Sequence, residues 1–211
     1  MKAILFDLDG TLTDSGEGIM NCAKLALDHY GITVDDPASL RVFVGPPLVD
    51  TFYKFGVPKE ELDHAVEIYR SRYIPVGKFE NHPYPGIRQL LEKLKSDGHK
   101  LYVATSKPEK TSLEILDHFQ LSEYFDIICG ASFDHSRHSK AQVIQHLLDQ
   151  TGSDLEAIMV GDTAFDVLGA KEHGIPTIGV SWGYGLVQDM EQAGAKGIAH
   201  TMEELYDLIS K

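Results

Sequence analysis

At 211 residues, 43% hydrophobic and 24% charged, the chain suits one core domain carrying an insertion, or one large soluble domain. Its formal net charge of −13, from 19 basic and 32 acidic residues, argues against a nucleic-acid or anionic-membrane partner. No stretch approaches the roughly 20 apolar residues of a membrane span, and the N-terminus lacks the basic and apolar regions of a signal peptide, so the cytoplasm is the expected compartment.

The chain opens with Lys2-Ala3-Ile4-Leu5-Phe6, an apolar run of the kind that forms a buried strand. It runs into Asp7-Leu8-Asp9-Gly10-Thr11. After Thr11 the pattern turns helical. Asp14 or Ser15 can cap a helix over 16–30 that carries Ile19, Cys22, Ala23, Ala26, Leu27 and Tyr30 on one stripe, and Gly31 ends it. A short helix over 36–43, a break at Val44-Gly45-Pro46-Pro47, and helices over 47–55 and 59–74 follow. No strand is expected here, so residues 15–83 read as a helical insertion, with core segments 1–14 and 84–211 on either side. The two cysteines, Cys22 and Cys129, sit among apolar neighbours and read as reduced packing residues.

From Gly86 the rhythm becomes helix–strand alternation. A helix begins at Ile87 and ends near Asp97-Gly98, before a strand over 100–104 closed by Thr105-Ser106-Lys107-Pro108. A helix over 108–118, a strand over 125–130, a helix over 139–151 and a strand over 157–161 come next. The chain finishes with a helix over 164–173, a fifth strand over 176–180, and a helix over 202–210. Strands joined by helices predict a Rossmann-like α/β core, a parallel sheet with right-handed crossovers whose ligands bind beyond the carboxyl ends of the strands. Those ends carry Asp7 and Asp9, Thr105 and Ser106, Gly161-Asp162-Thr163 with Asp166, and Trp182-Gly183-Tyr184-Gly185, while Lys140 follows the loop after strand three.

Two carboxylates at one strand end stay ionised together only if a cation or strong hydrogen bonds offset their repulsion. Magnesium suits such hard oxygen ligands, and a carboxylate fixed beside it can attack phosphorus. The plainer reading, two solvated acids in a loop, loses ground to the acids, hydroxyls and ammonium gathered on the same rim.

These motifs, in this order, resemble those of the haloacid dehalogenase superfamily of phosphatases, over nearly the whole chain. Asp7-x-Asp9-Gly10-Thr11 resembles the first motif, Thr105 the second, Lys140 the third and Gly161-Asp162-Thr163-x-x-Asp166 the fourth, with the helical insertion where a type-1 cap belongs. The resemblance implies Asp7 as nucleophile and Asp9 as general acid, then base. It implies Mg²⁺ held by Asp7, the Asp9 backbone carbonyl, Asp162 and Asp166. Thr105 and Lys140 would bind the phosphoryl oxygens, with Gly10, Thr11 and Ser106 completing the phosphate-binding set. Gly45-Pro46-Pro47 and the Trp182–Gly185 loop resemble stretches of phosphoglycolate phosphatases and 5′-nucleotidase-like members, which makes Gly45 and Arg41 the candidate cap residues near substrate. A cap that closes over the rim would exclude water and add specificity.

The chain departs from the phosphoglycolate phosphatase pattern at Ser139-Lys140-Ala141-Gln142, where proline often follows the lysine. Lys107 is a possible substitute, though it reads more as a loop contact. Thr105 and Asp166 each have a rival reading as a helix cap, and His135 and His138 lie in a loop without zinc-ligand spacing. Asp9 argues against dehalogenases and phosphonatases, which lack an acid there by the same resemblance. The expected reaction is therefore hydrolysis of a small phosphorylated metabolite, phosphoglycolate-like or a nucleoside monophosphate. A phosphomutase and a non-enzymatic phospho-acceptor module remain as alternatives. Monomer and homodimer are both compatible with the sequence.

Overall fold

The structure, a computed structural model, describes residues 1–132, 136–151 and 156–211, so His135 of the loop pair lies outside the described residues. The chain forms two compact units, Met1–Thr13 with Pro83–Lys211, and Asp14–His82.

β1 (Ala3–Phe6) belongs to the first unit, and β2 (Thr13–Asp14) marks the departure into the second. There α1 (Gly16–His29), a 3₁₀ segment over Pro37–Phe43, α2 (Leu48–Lys54) and α3 (Leu62–Tyr73) make a helical unit. Its interior holds Ile19, Cys22, Ala23, Ala26 and Leu27 from the stripe read on α1, whose last member Tyr30 is the half-buried C-cap, with Leu62, Ala65, Val66, Tyr69 and Tyr73 of α3. Of the two possible caps for α1, Asp14 takes the Gly16 N–H at 3.4 Å, whereas Ser15 makes no capping bond. Arg72 clamps Glu80 through two bonds of 2.6 and 2.7 Å, a fork geometry that ties α3 to the returning chain. β3 (His82–Pro83) pairs with β2 as a separate two-stranded sheet, a detail too short to leave a sequence pattern.

The first unit continues with α4 (Ile87–Ser96), β4 (Lys100–Pro108), α5 (Glu109–His118), β5 (Ile127–Ala131), α6 (Lys140–Thr151), β6 (Ala157–Gly161), α7 (Ala164–Lys171), β7 (Thr177–Val180), α8 (Val187–Ala193), β8 (Gly197–Ala199) and α9 (Met202–Ser210). Six strands form one sheet in the order β5-β4-β1-β6-β7-β8, and every neighbouring pair is parallel. The α/β class is as expected, but the sheet has six strands rather than five. β8 adds an edge strand, α8 adds a helix, and β4 runs on through the segment read as its closing loop.

β1 is central, with Phe6 level with Val103 of β4 and Val160 of β6. From β1 the chain works outward through β4 to β5, then returns to β1's other side with β6, which makes the β1–β6 junction the switch point where open sheets bind ligands. Alternation sets the two faces of β1. Ile4 and Phe6 pack with Leu91 and Leu94 of α4, Ile115 of α5 and Ile209 of α9. Ala3 and Leu5 pack with Val143, Ile144 and Leu147 of α6 and Ala170 of α7. The next residue of that second parity is Asp7, so the period that buries Leu5 carries the first acid toward α6 and α7. Cys22 and Cys129 are free and buried. No helix among the described residues is long and apolar enough to cross a membrane.

Candidate active site

Past Phe6 the chain keeps β pairing for one more residue, since the Asp7 N–H donates to the Val160 carbonyl at 2.9 Å. It then folds into a tight turn, with the N–H groups of Leu12 and Thr13 on the Leu8 carbonyl at 2.9 and 3.1 Å. Gly10 takes φ +80° in this turn, and a Cβ there would collide with the Asp162 carboxylate, so the sequence needs glycine at this point for two separate reasons. The result brings the end of β1 against the end of β6.

Lys140, the first residue of α6, sits at the centre. Its Nζ lies 2.7 Å from Asp7 Oδ1, 2.7 Å from Asp166 Oδ1, and donates to the Ala104 carbonyl at 2.8 Å. The two carboxylate contacts are ion pairs and the Ala104 contact a hydrogen bond, so Asp7 Oδ1 and Asp166 Oδ1 remain buried without a hydrogen-bond partner among the described residues. Asp166 meets Lys140 with one oxygen while its other accepts from the Thr163 N–H at 3.0 Å and the Thr163 hydroxyl at 2.8 Å. Capping α7 and holding the lysine are thus joint roles of one side chain, not rivals. Asp162 accepts from the Thr11 hydroxyl at 3.3 Å and from the Tyr184 N–H at 2.8 Å.

Exposure separates the four acids. Asp162 and Asp166 are each 1% exposed, whereas the side chains of Asp7 and Asp9 keep 13% and 12%. Only the first-motif pair is open to an incoming molecule. Asp9 Oδ2 lies 2.6 Å from Lys107 Nζ, and Asp9 Oδ1 is buried without a hydrogen-bond partner. Thr105 is buried beside this pair; its hydroxyl oxygen accepts from the Lys107 N–H at 3.2 Å and bonds to Asp7. Ser106 is half-buried between them and, among the described residues, makes no hydrogen bond to the cluster. Arg41, exposed in the 3₁₀ segment, and Gly45, at φ +102°, belong to the helical unit.

Oxygens of Asp7, Asp162 and Asp166 lie within 4.8 Å of one another around one ammonium. Burial pushes Asp7 up to about 6, against the pull of Lys140, and Asp166 adds to the rise. Burial, then the charges of Asp166 and Asp7, push Asp162 up to about 8. Burial alone would lower Lys140, but Asp166 and Asp7 outweigh it and hold the ammonium above the ordinary lysine range. Negative charge is therefore in excess, and the donors are hard oxygens. A small divalent cation fits this set.

The sequence places Trp182–Gly185 at a strand end and names Lys107 only as a substitute for Lys140, and it gives neither Lys107 nor Gly183 or Tyr184 a part in holding the acids. A Cβ on Gly183 would strike the Asp162 side chain, and the adjacent Tyr184 N–H holds Asp162. The Trp182 indole N–H, on the same loop, donates to the Thr11 carbonyl at 3.2 Å. The available signal was the Gly-Tyr-Gly run following a buried strand.

Fold and rim together define a Rossmann-like α/β protein with its chemistry gathered at the switch point. Residues 4–180 match the haloacid dehalogenase-like hydrolase family, and the chain belongs to it. The chain is 45% identical over 184 residues to a 5′-nucleotidase of Pseudomonas aeruginosa, covering 86% of this chain and 83% of that one. It is 40% identical over 211 residues to the tyrosine-protein kinase PtkA of Mycobacterium tuberculosis, covering 99% of this chain and 72% of that one. A crystal structure of a predicted phosphatase from Clostridium acetobutylicum superposes with a TM-score of 0.93 at 43% identity, covering 99% of this chain and 98% of that one.

Proposed function

We propose that the protein is a magnesium-dependent phosphatase of small phosphate monoesters, with Asp7 as nucleophile and Asp9 as general acid and base. The observation that carries this reading is the division of the acids: Asp7 is partly open and aimed by Lys140 at 2.7 Å, while Asp162 and Asp166 are closed off beside it.

In the first step a carboxylate oxygen of Asp7 attacks phosphorus, the ester P–O bond breaks, and the leaving oxygen takes a proton from Asp9. In the second, water attacks the aspartyl-phosphate, Asp9 takes a proton from that water, and phosphate leaves with the Asp7 carboxylate restored. Phosphoryl transfer asks mainly for positioning and for positive charge near the equatorial oxygens. Lys140 and the Thr105 hydroxyl meet that need from this chain's side. Asp7, Asp162, Asp166 and the Asp9 carbonyl would hold Mg²⁺, which supplies further positive charge to the phosphoryl group when bound.

The test is phosphate release from a panel that includes phosphoglycolate and nucleoside 5′-monophosphates, the latter chosen because of the 5′-nucleotidase relative. Release that needs Mg²⁺ and vanishes in Asp7→Asn supports the proposal; no release from any ester sinks it. The relative named as a tyrosine kinase motivates a second reading, in which the phosphoryl group on Asp7 passes to a tyrosine hydroxyl instead of water. ATP-dependent labelling of a tyrosine peptide, without matching phosphate release, would favour that reading. Isomerisation of a sugar phosphate would favour a mutase, and a stable phospho-Asp7 a non-enzymatic phospho-acceptor.

A further inference from the structure

A second cluster of metal-ligating side chains lies away from the four acids, where α5, β5 and α6 meet. Glu109 opens α5, Cys129 lies within the edge strand β5, and His146 lies within α6. One ligand atom from each falls within 4.8 Å of the other two. We infer that Glu109, Cys129 and His146 form a binding site for a borderline-soft divalent cation, zinc above all.

The chemistry of the donors argues for that class. Sulfur, imidazole nitrogen and carboxylate oxygen are the zinc ligand set, and three protein donors leave a fourth position for water. The same set is wrong for magnesium, which prefers oxygen alone. Ligand atoms around a tetrahedral zinc stand roughly 3.5 Å apart, so the cluster, with its donor atoms within 4.8 Å of one another, needs to close by at most about an ångström. Glu109 and His146 are half-buried and can rotate to do so, while Cys129 is 1% exposed and fixed in the sheet.

The surroundings suit a metal as well. Glu109 Oε2 accepts from the Gly130 N–H at 3.2 Å and from Arg137 at 2.7 Å, and Arg137 is itself anchored to the Gly130 carbonyl at 2.7 Å. This is the outer support that orients a ligating carboxylate, and it leaves the other Glu109 oxygen for the ion. Among the described residues the His146 ring makes no hydrogen bond. A thiolate and a carboxylate together offset the two charges of the cation, which lowers the cost of holding it at a half-buried position. The Gln150 amide, 3.5 Å from the Cys129 sulfur, stands where a bound thiolate would accept from it.

This inference does not depend on the proposed reaction. The test is cobalt(II) added alone to the metal-free protein, because only a sulfur ligand gives the near-ultraviolet thiolate-to-cobalt charge-transfer band. The expected result is such a band, saturating at one equivalent and removed by added zinc. It should be retained in Asp162→Asn and lost in Cys129→Ala, with at least tenfold weaker binding in His146→Ala. The half-buried His146 keeps the test valid if the Cys129 variant folds poorly. Cobalt bound without the band, or a band unchanged in either variant, overturns the site.

Discussion

Lys140 is ion-paired with two carboxylates and donates to the Ala104 carbonyl. Replacing it with methionine leaves Asp7 and Asp166 buried without their shared counter-charge, and removing one partner of a buried pair typically costs about 3–5 kcal/mol. Lys140→Met is expected to lose activity and to lower the denaturant midpoint by that measure, read by equilibrium unfolding in the absence of Mg²⁺. Lys107 differs, because its partner Asp9 is one of the two open acids. Without Lys107 the Asp9 carboxylate loses the contact that sets its direction, and a positioned acid–base group is worth about 10²–10⁴ in rate. Lys107→Met should therefore lower kcat by a part of that range with KM little changed, measured in steady state. The four acids were legible because their spacing places them at strand ends. The partner of Lys107 was not, since a lysine in Thr-Ser-Lys-Pro looks like a loop contact or a stand-in for Lys140 until Asp9 is found 2.6 Å from its ammonium.

Elements were legible where burial imposed a pattern. β1 and β6 are continuous apolar runs buried on both faces, β7 is buried throughout with Thr177 its one polar residue, and α1, α3 and α4 carry full apolar stripes. β8 offers only Gly197-Ile198-Ala199 at the sheet edge, and α8 buries Met190 alone, so neither has a period to read. β4 was read short for a different reason: Thr105 and Lys107 are buried polar residues facing acids, and polarity in sequence mimics a loop. α9 gives a test of local coding. Thr201 caps it by accepting from the Glu204 N–H at 3.1 Å, and the Glu204 carboxylate returns to the His200 N–H at 2.8 Å. Losing such a cap costs about 1 kcal/mol. Thr201→Ala should lower stability by that amount in chemical denaturation and leave kcat unchanged, because α9 lies on the face of the sheet opposite Lys140.

At the scale of the whole molecule the excess of buried acid ties stability to pH and to metal. Asp7 and Asp162 are pushed up to about 6 and about 8, both above the value near 3.8 of an ordinary aspartate. Between these limits the native state holds protons that the unfolded chain has released, so unfolding gives up protons and rising pH favours it. Their contribution is fully present below the unfolded value and is lost as pH climbs through 6 and then 8. Asp126 and Glu80 have the opposite sign, being held below the ordinary carboxylate range, Asp126 by Lys100 and Lys95 against its burial and Glu80 chiefly by Arg72. Their effect is confined to acid pH and leaves the window from about 5 to about 8 to the two site acids. In EDTA the denaturant midpoint should therefore fall steadily across that window, and Asp162→Asn, which has no carboxylate to ionise there, should fall much less. Magnesium binds the deprotonated carboxylates of the native state only, and so stabilises more as pH rises. Its addition should flatten or reverse the wild-type slope while leaving the Asp162→Asn profile nearly unmoved. A wild-type midpoint that stays level in EDTA would mean that the acids are ionised throughout without a metal, and that neighbouring hydrogen bonds alone, such as those from Thr11 and Tyr184, offset their repulsion.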